Sequence, residues 1–236
     1  MAKKQFSGNK QNKKKSQNRA IIIGGVILFA IIAAGILIMQ SSPSAGEFIT
    51  VAKQTWPQPD GKALGPANAA VVVQEFSDFQ CPYCRQFHDT VLEKLISQYV
   101  TTGKIRFEYH HFIVIDGNTG GNESRRAAEA SECANEQSQF WDYHNMLFAN
   151  QKSEGSGTFS DVRLKAFAAS LGLDTTKFNS CFNSGKFAAL VVKDENLATS
   201  DKLQATPALL VNGVLVQNPI NYTIVQSAID KALGQH

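Results

Sequence analysis

The chain has 236 residues, 43% hydrophobic and 18% charged, with a formal net charge of +3. That length suffices for one domain with a sizeable core and does not demand two. The charge is unevenly spread: residues 1–19 hold seven cations and no acid, leaving sixteen basic against twenty acidic residues elsewhere, which excludes a nucleic-acid-binding character for the globular part.

In chain order, residues 1–19 form a basic tail that the positive-inside rule assigns to the cytoplasm. Residues 20–39 (AIIIGGVILFAIIAAGILIM) are uncharged and apolar. As a helix they would span roughly 30 Å, the thickness of a bilayer's hydrocarbon core. The run exceeds the usual ~7–15 residues of a signal-peptide core, and Pro43-Ser44-Ala45 is a poor cleavage site, so an uncleaved single-pass anchor is expected in the cell membrane, with everything beyond it extracytoplasmic. Residues 40–66, with Pro43, Pro57, Pro59 and Pro66, read as a linker, with a short strand at Phe48–Ala52.

A domain is expected over 67–236. Ala70–Phe76 is a β-branched run of the kind that forms a buried parallel strand. From Pro82 the period changes, and Phe87, Val91, Leu92, Leu95, Ile96 and Tyr99 share one helical face up to Gly103. Ile105–Phe112 alternates as a strand, completing a βαβ unit. Residues 122–202 hold no strand pattern and read as helices near Glu123–Gln137, Phe140–Asn150, Ser160–Leu171, Thr175–Asn183 and Lys186–Lys202, with Ser160 and Asp174 as N-caps and Gly172 and Gly185 as stops. Asn212-Gly213 between Ala208–Val211 and Val214–Gln217 predicts a hairpin, because the tight turn needs positive φ at both positions. A last amphipathic helix covers Tyr222–Leu233.

The four cysteines, Cys81, Cys84, Cys133 and Cys181, allow three pairings. In an oxidising compartment such pairs persist as disulfides. The tight spacing selects Cys81–Cys84 as a redox-active pair, which leaves Cys133–Cys181 as a structural one. The Cys81–Cys84 motif follows a strand and opens a helix, where unpaired N–H groups and about half a positive charge favour a thiolate. A cysteine there has its pKa lowered into the range of about 3.5–7.5. Cys81 is therefore the expected attacking and leaving sulfur, and Cys84, one turn inside, the buried resolving thiol. Tyr83 between them should be exposed and touch the substrate. Pro82 suits the first turn, where its missing N–H costs nothing. A zinc site would need two further close ligands; only His88 is near in sequence, so no metal is expected. His110, His111 and His144 show no diagnostic spacing and read as surface or packing residues, Asp78 as a loop or helix-start acid, and Phe76, Phe79 and Phe87 as core.

EFSDFQCPYC (75–84), Ala205-Thr206-Pro207 and PALLVNG (207–213) resemble the DsbA-type thiol–disulfide oxidoreductases, over about residues 65–234. The resemblance implies an α/β thioredoxin-like fold with an inserted all-helical subdomain at about 122–202. It implies that Pro207 is a cis-proline beside the active-site cysteines, with Thr206 and Pro207 meeting an extended substrate chain. It also matches Glu75 to a buried acid under the site, which either relays a proton to and from Cys84 or is simply paired at the strand end. The Pro82-Tyr83 dipeptide occurs in glutaredoxins too, which lack an anchor and a helical block. The expected activity is disulfide oxidation in exported proteins with free thiols, without an organic cofactor, with reoxidation by a membrane partner of the DsbB or VKOR-like type. A membrane-anchored reductase or isomerase, or a non-catalytic thioredoxin-like binding module, are the alternatives.

Overall fold

The computed structural model describes residues 29–30 and 44–235. The basic tail and all but two residues of the apolar run at 20–39 lie outside them. Among the described residues no helix is long and apolar enough to cross a membrane. The chain divides into two compact units, Met1–Ser44 and Ala45–His236, and all four cysteines belong to the second.

A five-stranded sheet organises that unit, in the order β1-β3-β2-β4-β5. Strand β2 (Val71–Ser77) is central and runs parallel to β3 (Ile105–His111), in register from Val71 opposite Ile105 to Ser77 opposite His111. On its other side β4 (Ala208–Val211) is antiparallel, with Glu75 opposite Leu209 and Phe76 opposite Ala208. The Asn212-Gly213 turn, with φ of 47° and 78°, returns the chain as β5 (Val214–Leu215). Between β2 and β3 the chain crosses over as α1 (Pro82–Phe87), which continues through a wider-turned stretch (His88–Leu92), a regular turn (Glu93–Leu95) and a second wide stretch (Ile96–Val100). The wider turns keep Phe87, Val91, Leu92, Leu95, Tyr99 and Val100 pressed into the core, whereas Ile96 is only partly buried. The last helix, α8 (Tyr222–Leu233), coincides with its sequence expectation.

The helical block starts earlier than periodicity predicts. A short helix α2 (Ile115–Thr119) precedes α3 (Glu123–Asn135), α4 (Phe140–Ala149), α5 (Asp161–Ser170), α6 (Thr175–Asn183) and α7 (Ala188–Ser200). One turn of helix is too short to carry a period. The Asp174 side chain accepts the N–H groups of Thr176 and Lys177 as predicted, but Ser160 makes no side-chain cap bond. A disulfide joins Cys133 on α3 to Cys181 on α6, 48 residues apart.

From Ala45 onward the expected linker is packed on the domain. Phe48 meets Phe167 edge-on at 5.1 Å between ring centroids, and Trp56 lies 5.7 Å from Trp141. The expected strand at Phe48–Ala52 does not form; instead the N–H and C=O of Ile49 bond to the side chain of Asn150 at 2.7 and 2.8 Å. Asp142 accepts from the Gln54 N–H and the Trp56 indole. The segment ends in β1 (Ala63–Leu64), antiparallel to β3. Prolines forbid helix and ladder but not docking, and here apolar side chains and borrowed acceptors do the anchoring. Gly65 then turns with φ of 89°, where a Cβ would lie 2.5 Å from the Ile105 carbonyl oxygen, so only glycine fits.

Replacing both Cys133 and Cys181 by Ala should lower unfolding stability by about 4 kcal/mol, from the loop the bridge closes. Denaturant unfolding of the two proteins under matched conditions measures it.

Candidate active site

The edge of β2 and the start of α1 bring the two expected cysteines together. Cys81 holds the N-cap position with extended backbone (φ −70°, ψ 122°), and its carbonyl accepts the first helical bond from Arg85 N at 3.2 Å. The loop before it is tied by Asp78, whose carbonyl accepts Cys81 N at 3.0 Å. The Asp78 carboxylate accepts the N–H groups of Gln80, Val114 and Ile115, each at 2.9 Å, so this buried acid holds both the cysteine loop and the entry to α2.

Cys81 and Cys84 are both thiols. Cys84 is fully buried, and Cys81 is only 4% exposed, less open than its position suggests. Tyr83 between them is 59% exposed, as expected. The Thr206–Pro207 peptide is cis, and it brings the Thr206 carbonyl within 3.4 Å of the Cys81 sulfur, which donates to it. Residues separated by 125 positions thus meet at one sulfur.

The two sulfurs are electrostatically unlike. The Cys84 thiol, the Thr206 side chain and the N–H groups of Cys84 and Tyr83 all favour a Cys81 thiolate; they outweigh burial and hold its pKa down at about 6. Burial, with the adjacent charges of Cys81 and Glu75, pushes the Cys84 thiol well above its ordinary value. Glu75 lies on β2 beneath the pair, fully buried, with Oε2 lacking a hydrogen-bond partner. Desolvation raises its pKa to about 8, the Ser77 hydroxyl opposing and the Cys81 charge reinforcing the shift. At neutral pH this carboxyl is mostly protonated and able to donate.

The histidines are placed by packing. His111 and His144 are fully buried rather than on the surface; His111 Nε2 lies 3.0 Å from Glu132 Oε1. His111, Glu132 and Asp194 converge as a cation-holding group would, within 4.8 Å, and include neither Cys81 nor Cys84. Lys62 supplies the cation there, its ammonium 2.9 Å from Glu132 and 2.5 Å from Asp194.

Two glutamines missed by sequence reasoning complete the site. Gln80 donates to Asp116 and Ser124 and accepts from Gly155 N. Gln151, just past α4, donates to the carbonyls of Phe79 and Cys81. Neither stands at a diagnostic spacing, and their partners are known only once the chain has folded.

A family model described as thioredoxin matches residues 58–231. A probable disulfide bond formation protein D of Bacillus cereus is 32% identical over 176 residues, covering 73% of this chain and 78% of that protein. Oxidised BdbD from Bacillus subtilis superposes with a TM-score of 0.67 at 28% identity, over 76% of this chain and 97% of that one. The matched region also occurs inside a larger protein: an Na(+)/H(+) antiporter NhaA 3 of Salinispora tropica is 31% identical over 72% of this chain, which spans only 24% of that relative's length. Fold, site geometry and these similarities agree: the chain belongs to the thioredoxin family, as a thiol–disulfide oxidoreductase of the DsbA type with an all-helical insertion.

Glu75 gives the reduced protein a signature in pH. The folded chain holds this proton more tightly than the unfolded chain, so its contribution to stability is lost as pH rises from about 4.5 to about 8. Cys81, shifted downward, contributes the opposite slope above about pH 6. Glu75→Gln should therefore abolish the first slope, read as the wild-type-minus-variant difference in denaturant unfolding across that range. Alkylation in neutral solution should mark Cys81 and leave Cys84 untouched until the protein unfolds.

Proposed function

We propose that this protein is an extracytoplasmic disulfide oxidase, held at the cell membrane by residues 20–39, that introduces disulfides into exported proteins bearing free thiols. The observation that carries this reading is the asymmetry of the pair: Cys81 holds the N-cap of α1 and donates to the Thr206 carbonyl, whereas Cys84 is fully buried one turn inside. The cycle starts from a Cys81–Cys84 disulfide. A substrate thiolate attacks the Cys81 sulfur, the Cys81–Cys84 bond breaks, and Cys84 leaves with the electron pair. A buried thiolate is costly, and Glu75, protonated and fully buried below it, is the proposed donor of its proton. A second substrate thiolate then attacks the substrate sulfur of the mixed disulfide and expels Cys81 as a thiolate. Stabilising that leaving thiolate makes reduction of the enzyme favourable and oxidation of the substrate its consequence.

Thr206 and the cis Pro207 are the proposed edge against which the substrate backbone lies, with exposed Tyr83 as a side-chain contact. The two electrons gained would pass to a membrane oxidant of the DsbB or VKOR-like type through the same Cys81. The extracytoplasmic placement is supported by the basic tail before the apolar run and by a second, Cys133–Cys181 disulfide of the kind that persists in an oxidising compartment. The chemistry uses only side chains of this chain, with neither metal nor organic cofactor.

The test is the equilibrium of the Cys81–Cys84 pair with glutathione, in the full chain in detergent. A potential near the oxidising end, about −120 mV as in DsbA itself, is expected. A value near about −270 mV, as in thioredoxin, would assign the protein to the reductases. Cys84→Ser should accumulate a mixed disulfide through Cys81, and Cys81→Ser should abolish exchange.

A further inference from the structure

The helical insertion reaches the cysteine pair through Gln151. Its side-chain nitrogen lies 2.8 Å from the Phe79 carbonyl oxygen and 2.9 Å from that of Cys81, donating one hydrogen to each. Its own backbone carbonyl accepts Arg85 Nη1 at 3.0 Å, one turn along α1. The residue is buried, and the amide nitrogen has two hydrogens in total, so both are committed to the carbonyls on either side of Gln80.

These acceptors are not ordinary loop carbonyls. That of Cys81 already takes the first bond of α1, from Arg85 N. Its direction fixes the peptide plane between Cys81 and Pro82, and with it the attitude of the Cys81 sulfur towards the free N–H groups of the first turn. Freed, the Phe79 carbonyl would leave an oxygen without its Gln151 donor in a buried site close to a developing negative charge, and the Cys81 carbonyl would be held by the Arg85 N–H alone.

We propose that Gln151 is a positioning residue for Cys81: by holding the Phe79 and Cys81 carbonyls it keeps the N-terminal turn of α1 in the one orientation that stabilises the Cys81 thiolate, so that the helical insertion tunes the redox pair. This rests on Cys81 being the attacking and leaving sulfur. A purely architectural glutamine would support oxidised and reduced protein alike; a positioning one favours the reduced form, which carries the thiolate. The ionisable groups acting on that sulfur include Cys84 and Glu75, and a change at Gln151 leaves both in place.

Gln151→Met fills the same space without donors. In the full chain in detergent, the Cys81 midpoint, followed by thiolate absorbance, should rise by about one pH unit, a tenfold loss of thiolate below it. The glutathione equilibrium should move about tenfold towards the oxidised enzyme in step. An unchanged midpoint and equilibrium, with both redox forms melting lower by the same amount, would overturn the proposal. If the variant does not fold, the side-chain amide resonances of Gln151 in wild-type protein serve: resonances that follow the Cys81 titration support the role, and resonances indifferent to it overturn it. A wild-type Cys81 midpoint in the ordinary thiol range would instead overturn the assignment of Cys81 itself.

Discussion

The stabilisation of negative charge at the start of α1 is the interaction on which the rest of the molecule depends. A thiol in water ionises near pH 8.5. Putting it at a helix N-terminus supplies N–H groups that nothing else in the helix uses. That advantage is realised only if the helix begins where the sulfur is, and several features exist to make it do so. Pro82 permits the turn, Asp78 fastens the preceding loop, and Gln151 donates to the Phe79 and Cys81 carbonyls. The cis peptide at Pro207 closes the remaining side with the Thr206 backbone.

The same placement sets polar side chains in the interior. Glu75 and Ser77 on β2 stand opposite Tyr109 and His111 on β3, sharing one face of the sheet. All four are buried in the centre of the domain. An acid there is expensive to ionise, and its neutrality near pH 7 is the result. His111 carries the polar seam away from the cysteines to Glu132 on α3, where Lys62 and Asp194 complete a compact ionic group. Lys62 comes from the segment leading into β1, so the ion pairs join that segment, the sheet and two helices of the insertion. Such pairs stabilise little beyond their own desolvation cost, but removing one partner alone leaves a buried charge exposed to its full penalty.

The insertion is therefore part of the site rather than an appendage to it. Asn150 and Gln151, adjacent at the end of α4, face in two directions: one holds the incoming segment at Ile49, the other the cysteine loop. Sequence separations of 70 to 101 residues are bridged within two positions.

By itself, the sequence determined most of what depends on local periodicity or on rigid backbone chemistry, while the strand expected at Phe48–Ala52 and the Ser160 cap bond did not form. The β2–α1–β3 unit, the helices from Glu123 onward, the Asn212-Gly213 hairpin and α8 follow from spacing, capping and positive-φ requirements, which are properties of neighbouring residues. The cysteine spacing singled out Cys81 and Cys84 at the strand–helix junction, and the Cys133–Cys181 bridge followed by elimination. The docked segment at 45–62, the helix at Ile115–Thr119, the burial of His111 and His144 and the two glutamine clamps were decided only by the tertiary structure. Each of these is a polar or irregular element whose partner lies far away in sequence. A glutamine or a proline-rich stretch has no period to announce its place; its energy depends on which donors and acceptors are left over when the regular elements have packed, and that is settled in three dimensions.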